Sequence, residues 1–248
     1  TVASGTFGIK PDLPHIGGTD GVGTVVESDS LPVGTRVLVR GKGVGLVKPG
    51  CWAEYVAVDD RALSPVRTDL DPAVAATFFL PSTTGYVAVN DVARVGEGDR
   101  VIVSGASGAV GSMAAQFALL AGASEVLGVV PRADQAPLLP SGVTPVVGRG
   151  EALTDVLGTT PVADVLIDTL GGDVLPPLLR AVVPGGRAAL IGYTLGTTLE
   201  LDLPNWLLSD VAVLPVNMMR RTDRQVELAP AMVDQLVDGD LTMAVQRD

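Results

Sequence analysis

The sequence predicts an α/β protein in which a small, mostly antiparallel β domain precedes a doubly wound parallel sheet. Three observations support this fold class. Short β runs separated by glycine-rich turns occupy residues 21–58. From about Ser82 onward, short apolar β runs alternate with segments whose apolar residues repeat at helical spacing, as in a parallel sheet covered on both faces. A glycine-rich turn, Gly105–Gly111, joins one of these β runs to a helix.

The N-terminal part contains three predicted strands, each bounded by turn residues such as glycine, proline, serine and aspartate. They are Gly23–Glu27, Thr35–Arg40 and Trp52–Val58. Only short turns separate the first two of them. We therefore expect a small antiparallel sheet in this part of the chain.

The C-terminal part contains six predicted strands, which are Val101–Ser104, Val126–Val130, Val146–Val147, Asp164–Asp168, Arg187–Gly192 and Val211–Val216. Helical spacing predicts helices over Gly111–Ala121, Glu151–Leu157, Val174–Val183 and Asp223–Gly239. We expect residues 1–84 to form the β domain, 85–225 the parallel-sheet domain, and 226–248 a helix that returns toward the β domain.

The bulk composition limits the classes of partner. The chain has 248 residues, 47% of them hydrophobic, and a net charge of −11. This charge disfavours nucleic acid, whose phosphates need a basic face, and it disfavours an anionic membrane surface. We expect a small-molecule substrate, no nucleic acid and no membrane. The single cysteine and the lack of a signal-peptide pattern favour a cytoplasmic protein.

The turn after the first strand of the parallel sheet has the spacing of a dinucleotide-binding motif. Ala106, Gly108 and Gly111 follow the pattern, with alanine at the first glycine position. Gly108 would let the backbone approach a pyrophosphate, and Gly111 would let the helix pack close to its strand. The alternative is a tight strand-to-helix turn without a ligand, but strand, turn and helix all occur in the expected order.

The end of the second strand selects the nicotinamide cofactor, since an acidic group there binds the ribose of NAD and a basic group binds the 2′-phosphate of NADP. Glu125 precedes its strand and therefore lies at the wrong end. Arg132 follows the strand, so we expect NADPH. Asp134 keeps NADH open as the less favoured cofactor, and Arg132 as a solvated loop residue is the alternative interpretation.

Two further strand ends are candidates for cofactor contacts. Asp168–Gly172 is a run of mostly small residues that includes Thr169 and leaves room for a ligand. Gly192 and Tyr193 follow another strand. Glycine permits a close approach, and the tyrosine either packs on the adenine-ribose side, lines the cleft, or is an ordinary rim residue.

A metal centre is not expected. His15 is the only histidine and Cys51 the only cysteine, whereas zinc prefers clustered cysteine and histidine ligands. The same scarcity disfavours a serine or cysteine relay that depends on histidine.

The motifs resemble those of the medium-chain dehydrogenases/reductases. The resemblance lies in the order of a glycine-rich entry, several short motifs and the dinucleotide turn: Pro14–Glu27, Gly34–Val39, Trp52–Tyr55, Pro81–Tyr86, Gly96–Val101 and Gly105–Gly111. Within this superfamily the chain is similar to the zinc-independent quinone oxidoreductases and enoyl reductases, because Gly18-Thr19-Asp20 stands where zinc alcohol dehydrogenases have Gly-His-Glu.

The resemblance implies a GroES-like β domain beside a Rossmann domain, both termini of the fold being incomplete in this sequence. It implies NADPH, no metal, and hydride transfer to a quinone or an α,β-unsaturated carbonyl. It also implies a homodimer formed through Val211–Val216. By position, the implied cofactor contacts are Thr84, Ser107, Gly108, Ala109, Val110, Gly111, Arg132, Thr169, Gly192, Tyr193 and Asn217.

No residue is predicted to be the proton donor. The alternative from another class is a non-catalytic or repurposed protein of this fold, such as a scaffold, a regulator or a biosynthetic pathway protein, that still binds the nucleotide. An NAD-linked alcohol dehydrogenase is a further alternative, which the absence of the zinc-ligand motif disfavours.

Overall fold

The computed structural model describes residues 10–67 and 69–245, and the chain divides into two compact units. The first unit comprises residues up to Phe79 together with Val233–Asp240 and Val245. The second comprises Leu80–Met232 and Leu241–Ala244.

The first unit is built on a three-stranded antiparallel sheet of β1 (Asp20–Thr24), β2 (Arg36–Arg40) and β3 (Leu63–Pro65). The strand order is β1-β2-β3, with Val22 opposite Leu38 and Leu38 opposite Ser64. The central strand supplies much of the small core, because Val37 and Val39 pack with Val25, Val44 and Ala62. The first two predicted strands are therefore confirmed, with the first shifted toward its N-terminus.

The third predicted strand, Trp52–Val58, is wrong. This segment is not hydrogen-bonded into a sheet, and the third strand is Leu63–Pro65 instead. β1 and β3 occupy both edges of β2, and the segment does not pair with the outer edge of either strand. Trp52 and Tyr55 are largely exposed, so the alternation of apolar and polar residues does not mark a buried face here.

Two helices and a π-helical turn precede the parallel sheet. They are α1 (Pro72–Thr77), α2 (Phe79–Tyr86) and the π-helical turn Val87–Val92. Asp71 caps α1, since its carboxylate accepts from the Ala73 and Val74 N–H groups.

The second unit contains a six-stranded, fully parallel sheet. Its strands are β4 (Arg100–Ser104), β5 (Glu125–Val130), β6 (Thr144–Val147), β7 (Ala163–Asp168), β8 (Val182–Leu190) and β9 (Ala212–Pro215). The order is β6-β5-β4-β7-β8-β9. All six predicted strands are confirmed, because buried β-branched runs such as Val101–Val103 form the middle of the sheet.

The helices of this unit are α3 (Ala109–Leu120), α4 (Ala152–Leu157), α5 (Leu175–Arg180) and α6 (Leu203–Ser209). A further helix, α7 (Thr222–Asp238), begins in this unit, and its residues from Val233 onward belong to the first unit. The predicted helix Val174–Val183 is too long. It ends at Arg180 because Val182 pairs with Ala163 and starts β8. None of the described helices combines the length and apolarity needed to cross a bilayer.

Candidate functional site

The glycine-rich turn lies between the end of β4 and the start of α3. Gly105 has a φ of +61°, which favours glycine. A Cβ atom at Gly111 would come within 2.2 Å of the Gly105 carbonyl oxygen, so the helix can approach the strand this closely only with glycine. A Cβ atom at Gly108 would meet only that same oxygen, at 3.2 Å. The two glycines therefore differ: the backbone at Gly111 leaves no room for a side chain, whereas an added Cβ atom at Gly108 would make one tight contact.

The start of α3 is accessible and has no side-chain cap. Gly108 and Ala109 are exposed, Ser107 and Val110 are half-buried, and Gly111 is buried. Helix geometry leaves the N–H groups of the first turn without intrahelical acceptors, and no side chain of the described residues caps this helix. These N–H groups and the helix dipole favour an anion at this position.

The neighbouring strand β5 ends beside this turn and leads to Arg132. The Arg132 guanidinium is exposed and forms an ion pair with Asp134, with Nε and Oδ1 3.0 Å apart. The Ser107 hydroxyl donates to the Gln135 carboxamide at 3.3 Å, which links the glycine-rich turn to the loop that carries Arg132.

The carboxyl ends of β4 and β7 are joined by buried polar groups. The Ser104 hydroxyl donates to the Asp168 carboxylate at 2.6 Å, and neither residue has exposed surface. Burial raises the pKa of Asp168, while hydrogen bonds from Ser104 and from the Gly171 and Leu170 amides oppose this shift. The Thr169 hydroxyl, half-buried, donates to the Ser104 carbonyl at 2.8 Å.

The next strand end, that of β8, packs directly on this loop. A Cβ atom at Gly192 would lie 2.1 Å from the Thr169 carbonyl oxygen, so glycine is required there by the protein's own backbone. Tyr193 follows with 42% of its surface exposed. Asn217 follows β9, is exposed, and accepts from the Met219 N–H at 3.1 Å.

All predicted cofactor contacts except Thr84 follow the carboxyl ends of β4, β5, β7, β8 and β9, and therefore lie along one edge of one sheet. Thr84 is almost completely buried in α2. That helix packs on α3, because a Cβ atom at Gly85 would lie 2.8 Å from the Ala114 nitrogen. The assignment of these residues to a cofactor stays a prediction.

Among residues 10–67 and 69–245, no three histidine, cysteine, aspartate or glutamate side chains lie close enough together to hold a metal ion. Cys51 is half-buried, and its Sγ packs against Gly21, where an added Cβ atom would lie 2.9 Å away. Burial raises the pKa of the Cys51 thiol, and the nearby Asp20 carboxylate raises it further.

Three polar residues of the site were missed by the sequence analysis, namely Ser104, Asp168 as a polar anchor, and Gln135. Asp168 could have been found from the sequence, because it directly follows the fully apolar run Val165–Ile167. A carboxylate in that position becomes buried when the run lies in the centre of a sheet. Its partner, 64 residues earlier in the sequence, could not be found from local pattern.

Known dehydrogenases and reductases are similar to this chain. Residues 109–234 match the family model for zinc-binding dehydrogenases. The chain is 29% identical over 203 residues to prostaglandin reductase-3 of Bos taurus, covering 78% of this chain and 51% of that protein. It is 27% identical over 233 residues to quinone oxidoreductase of Rattus norvegicus, covering 91% and 69%. The crystal structure of Escherichia coli K-12 YhdH with bound NADPH is similar, with a TM-score of 0.68 and 26% identity over 96% of this chain and 83% of that one.

The chain thus spans about half the length of prostaglandin reductase-3 and about two thirds of the length of quinone oxidoreductase. The family model matches more than half of this chain, and the matched region contains the first turn of α3 and the ends of β5, β7, β8 and β9. The chain belongs to the medium-chain dehydrogenase/reductase superfamily, as the match of residues 109–234 to its zinc-binding dehydrogenase model shows.

Proposed function

We propose that this protein is an NADPH-dependent oxidoreductase that transfers hydride to a quinone or to an α,β-unsaturated carbonyl compound without a metal. The observation that carries the proposal is the exposed, uncapped start of α3 at the carboxyl edge of a parallel sheet. Relatives named quinone oxidoreductase and enoyl-[acyl-carrier-protein] reductase support the substrate class. The NADPH bound to the similar E. coli protein supports the cofactor.

The residues present fit the diphosphate of a dinucleotide. Gly108 has no side chain to fill the space before α3, and Gly111 brings the helix close to its strand. The N–H groups of Ala109, Val110 and Gly111 would then face the diphosphate, which the helix dipole also stabilises.

Arg132 fits the 2′-phosphate that distinguishes NADPH from NADH. It follows β5, the strand beside β4, and its guanidinium is accessible. Asp134 already pairs with this exposed guanidinium. A phosphate would therefore share the guanidinium with Asp134 or take the place of Asp134, without burying a charge that is now solvated. Exposed ion pairs contribute little, so this exchange costs little.

When bound, the reduced nicotinamide supplies the hydride, and the protein supplies orientation and electrostatics. Gly192 and Tyr193 lie after β8, toward the opposite end of the sheet from Arg132, and we assign them to the nicotinamide half together with Asn217. The proton donor stays unassigned. Gly18-Thr19-Asp20 in place of Gly-His-Glu supports chemistry without zinc.

Calorimetry with NADPH and NADH tests the cofactor, and loss of nicotinamide absorbance with a panel of quinones and enones tests turnover. We expect binding of NADPH and turnover of at least one member of the panel. Binding without turnover of any member would favour the non-catalytic or repurposed alternative. Failure of the folded protein to bind either nucleotide would overturn the proposal.

Arg132→Ala tests the choice of cofactor. We expect the dissociation constant for NADPH to rise about tenfold or more, as for loss of a charge-assisted hydrogen bond, and that for NADH to change less than about twofold. Arg180→Ala is the matched control, because Arg180 is similarly exposed and also pairs with a carboxylate, that of Glu151. Equal losses for both nucleotides in Arg132→Ala would remove the 2′-phosphate role.

A further inference from the structure

The strand order of the parallel sheet reverses between β4 and β7. The chain runs outward from β4 through β5 to β6, then returns to the other side of β4 and continues through β7, β8 and β9. At such a reversal the connections leave in opposite directions and open a crevice at the carboxyl ends of the two central strands, where dinucleotides bind.

The last residues of these two strands, Ser104 and Asp168, form what we call the strand-end pair. The Ser104 hydroxyl donates to Asp168 Oδ1 at 2.6 Å and accepts from the Thr169 N–H at 2.8 Å. Asp168 Oδ2 accepts from the Gly171 N–H at 2.8 Å. Both members are fully buried, and the pair thus holds both strand ends and the first residues of the following loop.

The loop held by this pair in turn contacts the end of β8. The Leu195 N–H donates to the Leu170 carbonyl at 2.9 Å, and Gly192 packs against the Thr169 carbonyl. The Ile191 N–H donates to the Asp168 carbonyl at 2.8 Å. The strand-end pair therefore determines the position of the loops on the β7 and β8 side of the crevice.

Joining β4 to β7 does not by itself require a buried carboxylate. At the opposite ends of the same strands, Arg100 and Asp164 form a partly exposed ion pair, with Nε and Oδ2 3.1 Å apart. Burying a carboxylate costs free energy that its hydrogen bonds must offset. The buried carboxylate lies at the end of the strands where the crevice is. This placement points to a role in positioning the loop and not only in pairing the strands.

We propose that Ser104 and Asp168 are positioning residues, which hold the loop Thr169–Gly171 where the crevice accepts the half of the dinucleotide beyond the diphosphate. This inference rests on the proposed function. Neither side chain touches the nucleotide, since both are buried. They act on nucleotide binding through the backbone of the loop and through Gly192.

The test compares Ser104→Ala and Asp168→Asn with controls at the other edge of the sheet. Ser124→Ala is the serine control, because the exposed Ser124 hydroxyl donates to the Gly98 carbonyl just before β5, away from the crevice. Asp164→Asn is matched to the aspartate variant. Calorimetry measures the dissociation constants for NADPH and for 2′,5′-ADP, which represents the adenosine half, at a temperature where every variant is folded.

We expect Ser104→Ala and Asp168→Asn to raise the dissociation constant for NADPH about tenfold, the effect of one buried hydrogen bond, and that for 2′,5′-ADP less than about twofold. Hydrogen exchange without nucleotide should accelerate at Thr169 and Gly171 but not at Ser112. The control variants should change neither of the two dissociation constants, and they should leave the exchange rates at Thr169 and Gly171 unchanged.

Equal weakening of NADPH and of 2′,5′-ADP in the two site variants, or no weakening of either, would overturn the inference while leaving NADPH binding by the unaltered protein intact. Failure of the unaltered protein to bind NADPH would instead overturn the proposed function, and the inference with it. Ser104→Ala keeps the test decisive if Asp168→Asn does not fold, because it leaves the amide hydrogen bonds to Asp168 in place.

Discussion

At the scale of single residues, Gly108 and Gly111 separate ligand binding from packing. Gly108→Ala adds a methyl group whose one close contact is the Gly105 carbonyl oxygen at 3.2 Å, so we expect a small fall in the melting temperature and a rise of at least about tenfold in the dissociation constant for NADPH. Gly111→Ala pushes the helix away from the Gly105 carbonyl, and overpacking of this kind costs about 1–3 kcal/mol or more.

Urea denaturation and calorimetry check both glycine variants. Gly96→Ala is the control, because an added Cβ atom there meets nothing within 4 Å and φ is not in the left-handed region. Gly108→Ala that binds NADPH as tightly as the unaltered protein would show that the diphosphate does not lie before α3.

Asp168 gives the stability of the protein a pH dependence whose sign follows from burial. Its pKa is raised in the folded protein, so the folded state holds the proton more tightly than the unfolded chain does. This contribution to stability is therefore present at low pH and is lost as the pH rises through the raised pKa. Asp168→Asn removes the titration and leaves the other carboxyl groups, including Asp164, unchanged.

We therefore expect the difference in unfolding free energy, unaltered protein minus Asp168→Asn, to increase as the pH falls from 7 toward 4. Urea denaturation at several pH values measures this difference. A difference that decreases over the same interval would mean that hydrogen bonds to the carboxylate outweigh its burial and lower its pKa.

Local chemistry explains which site residues could be predicted. Gly105–Gly111 were predictable because a turn between a strand and a helix needs its glycines within a few residues of one another. Asp168 and Ser104 depend on the alignment of two strands that are far apart in sequence. Gly192 shows the same limit, since its contact with the Thr169 backbone follows from strand alignment and not from the residues beside it.

At the scale of secondary structure, α3 is held at its middle by a buried amide. Gln116 Nε2 donates to the Thr242 carbonyl at 2.9 Å, and the Thr242 N–H donates to Gln116 Oε1 at 2.8 Å. Gln116 is 8% exposed, so these two bonds tie residues 241–244 to the helix that starts at the candidate site.

We expect Gln116→Met, which keeps the side-chain volume but removes both hydrogen bonds, to lower the unfolding free energy by about 1–2 kcal/mol. Hydrogen exchange should accelerate at Thr242 and stay unchanged at Ala115 in the same helix. An unchanged exchange rate at Thr242 would contradict the role of Gln116 as the anchor of this segment.

Some of the predicted strands are confirmed and one is wrong, and the difference has a physical reason. Strands such as Val101–Ser104 are buried on both faces, so a continuous apolar run identifies them without knowledge of their neighbours. Trp52–Val58 has the alternation of a strand, but a strand also needs a hydrogen-bonded partner, and this segment pairs with none of β1, β2 and β3. The helices before the parallel sheet, α1 and α2, were not assigned, because α2 contains Pro81 and Gly85, which have low helix propensity.

At the scale of the whole molecule, β9 offers an outer edge for pairing with a second copy. The Val216 N–H donates to the Leu190 carbonyl, so by the two-residue alternation of a strand the Val213 N–H and carbonyl point away from β8. Pro215 has no N–H to offer, and the Val211 carbonyl already accepts from Trp206 Nε1 at 3.1 Å. Val213 therefore carries the main-chain groups through which a homodimer would form.

Two copies related by a two-fold axis at Val213 would exchange a pair of N–H to carbonyl hydrogen bonds, as opposed residues do in an antiparallel pair. We expect the protein to have twice the chain mass of 25.3 kDa by light scattering. Val213→Pro removes the outward donor and should yield the monomer mass, whereas Val213→Ala keeps the donor and should remain a dimer. Circular dichroism confirms that both variants are folded. If Val213→Pro kept the dimer mass, the two copies would have to meet through another surface, because this edge has no second outward N–H within β9 to replace the one removed.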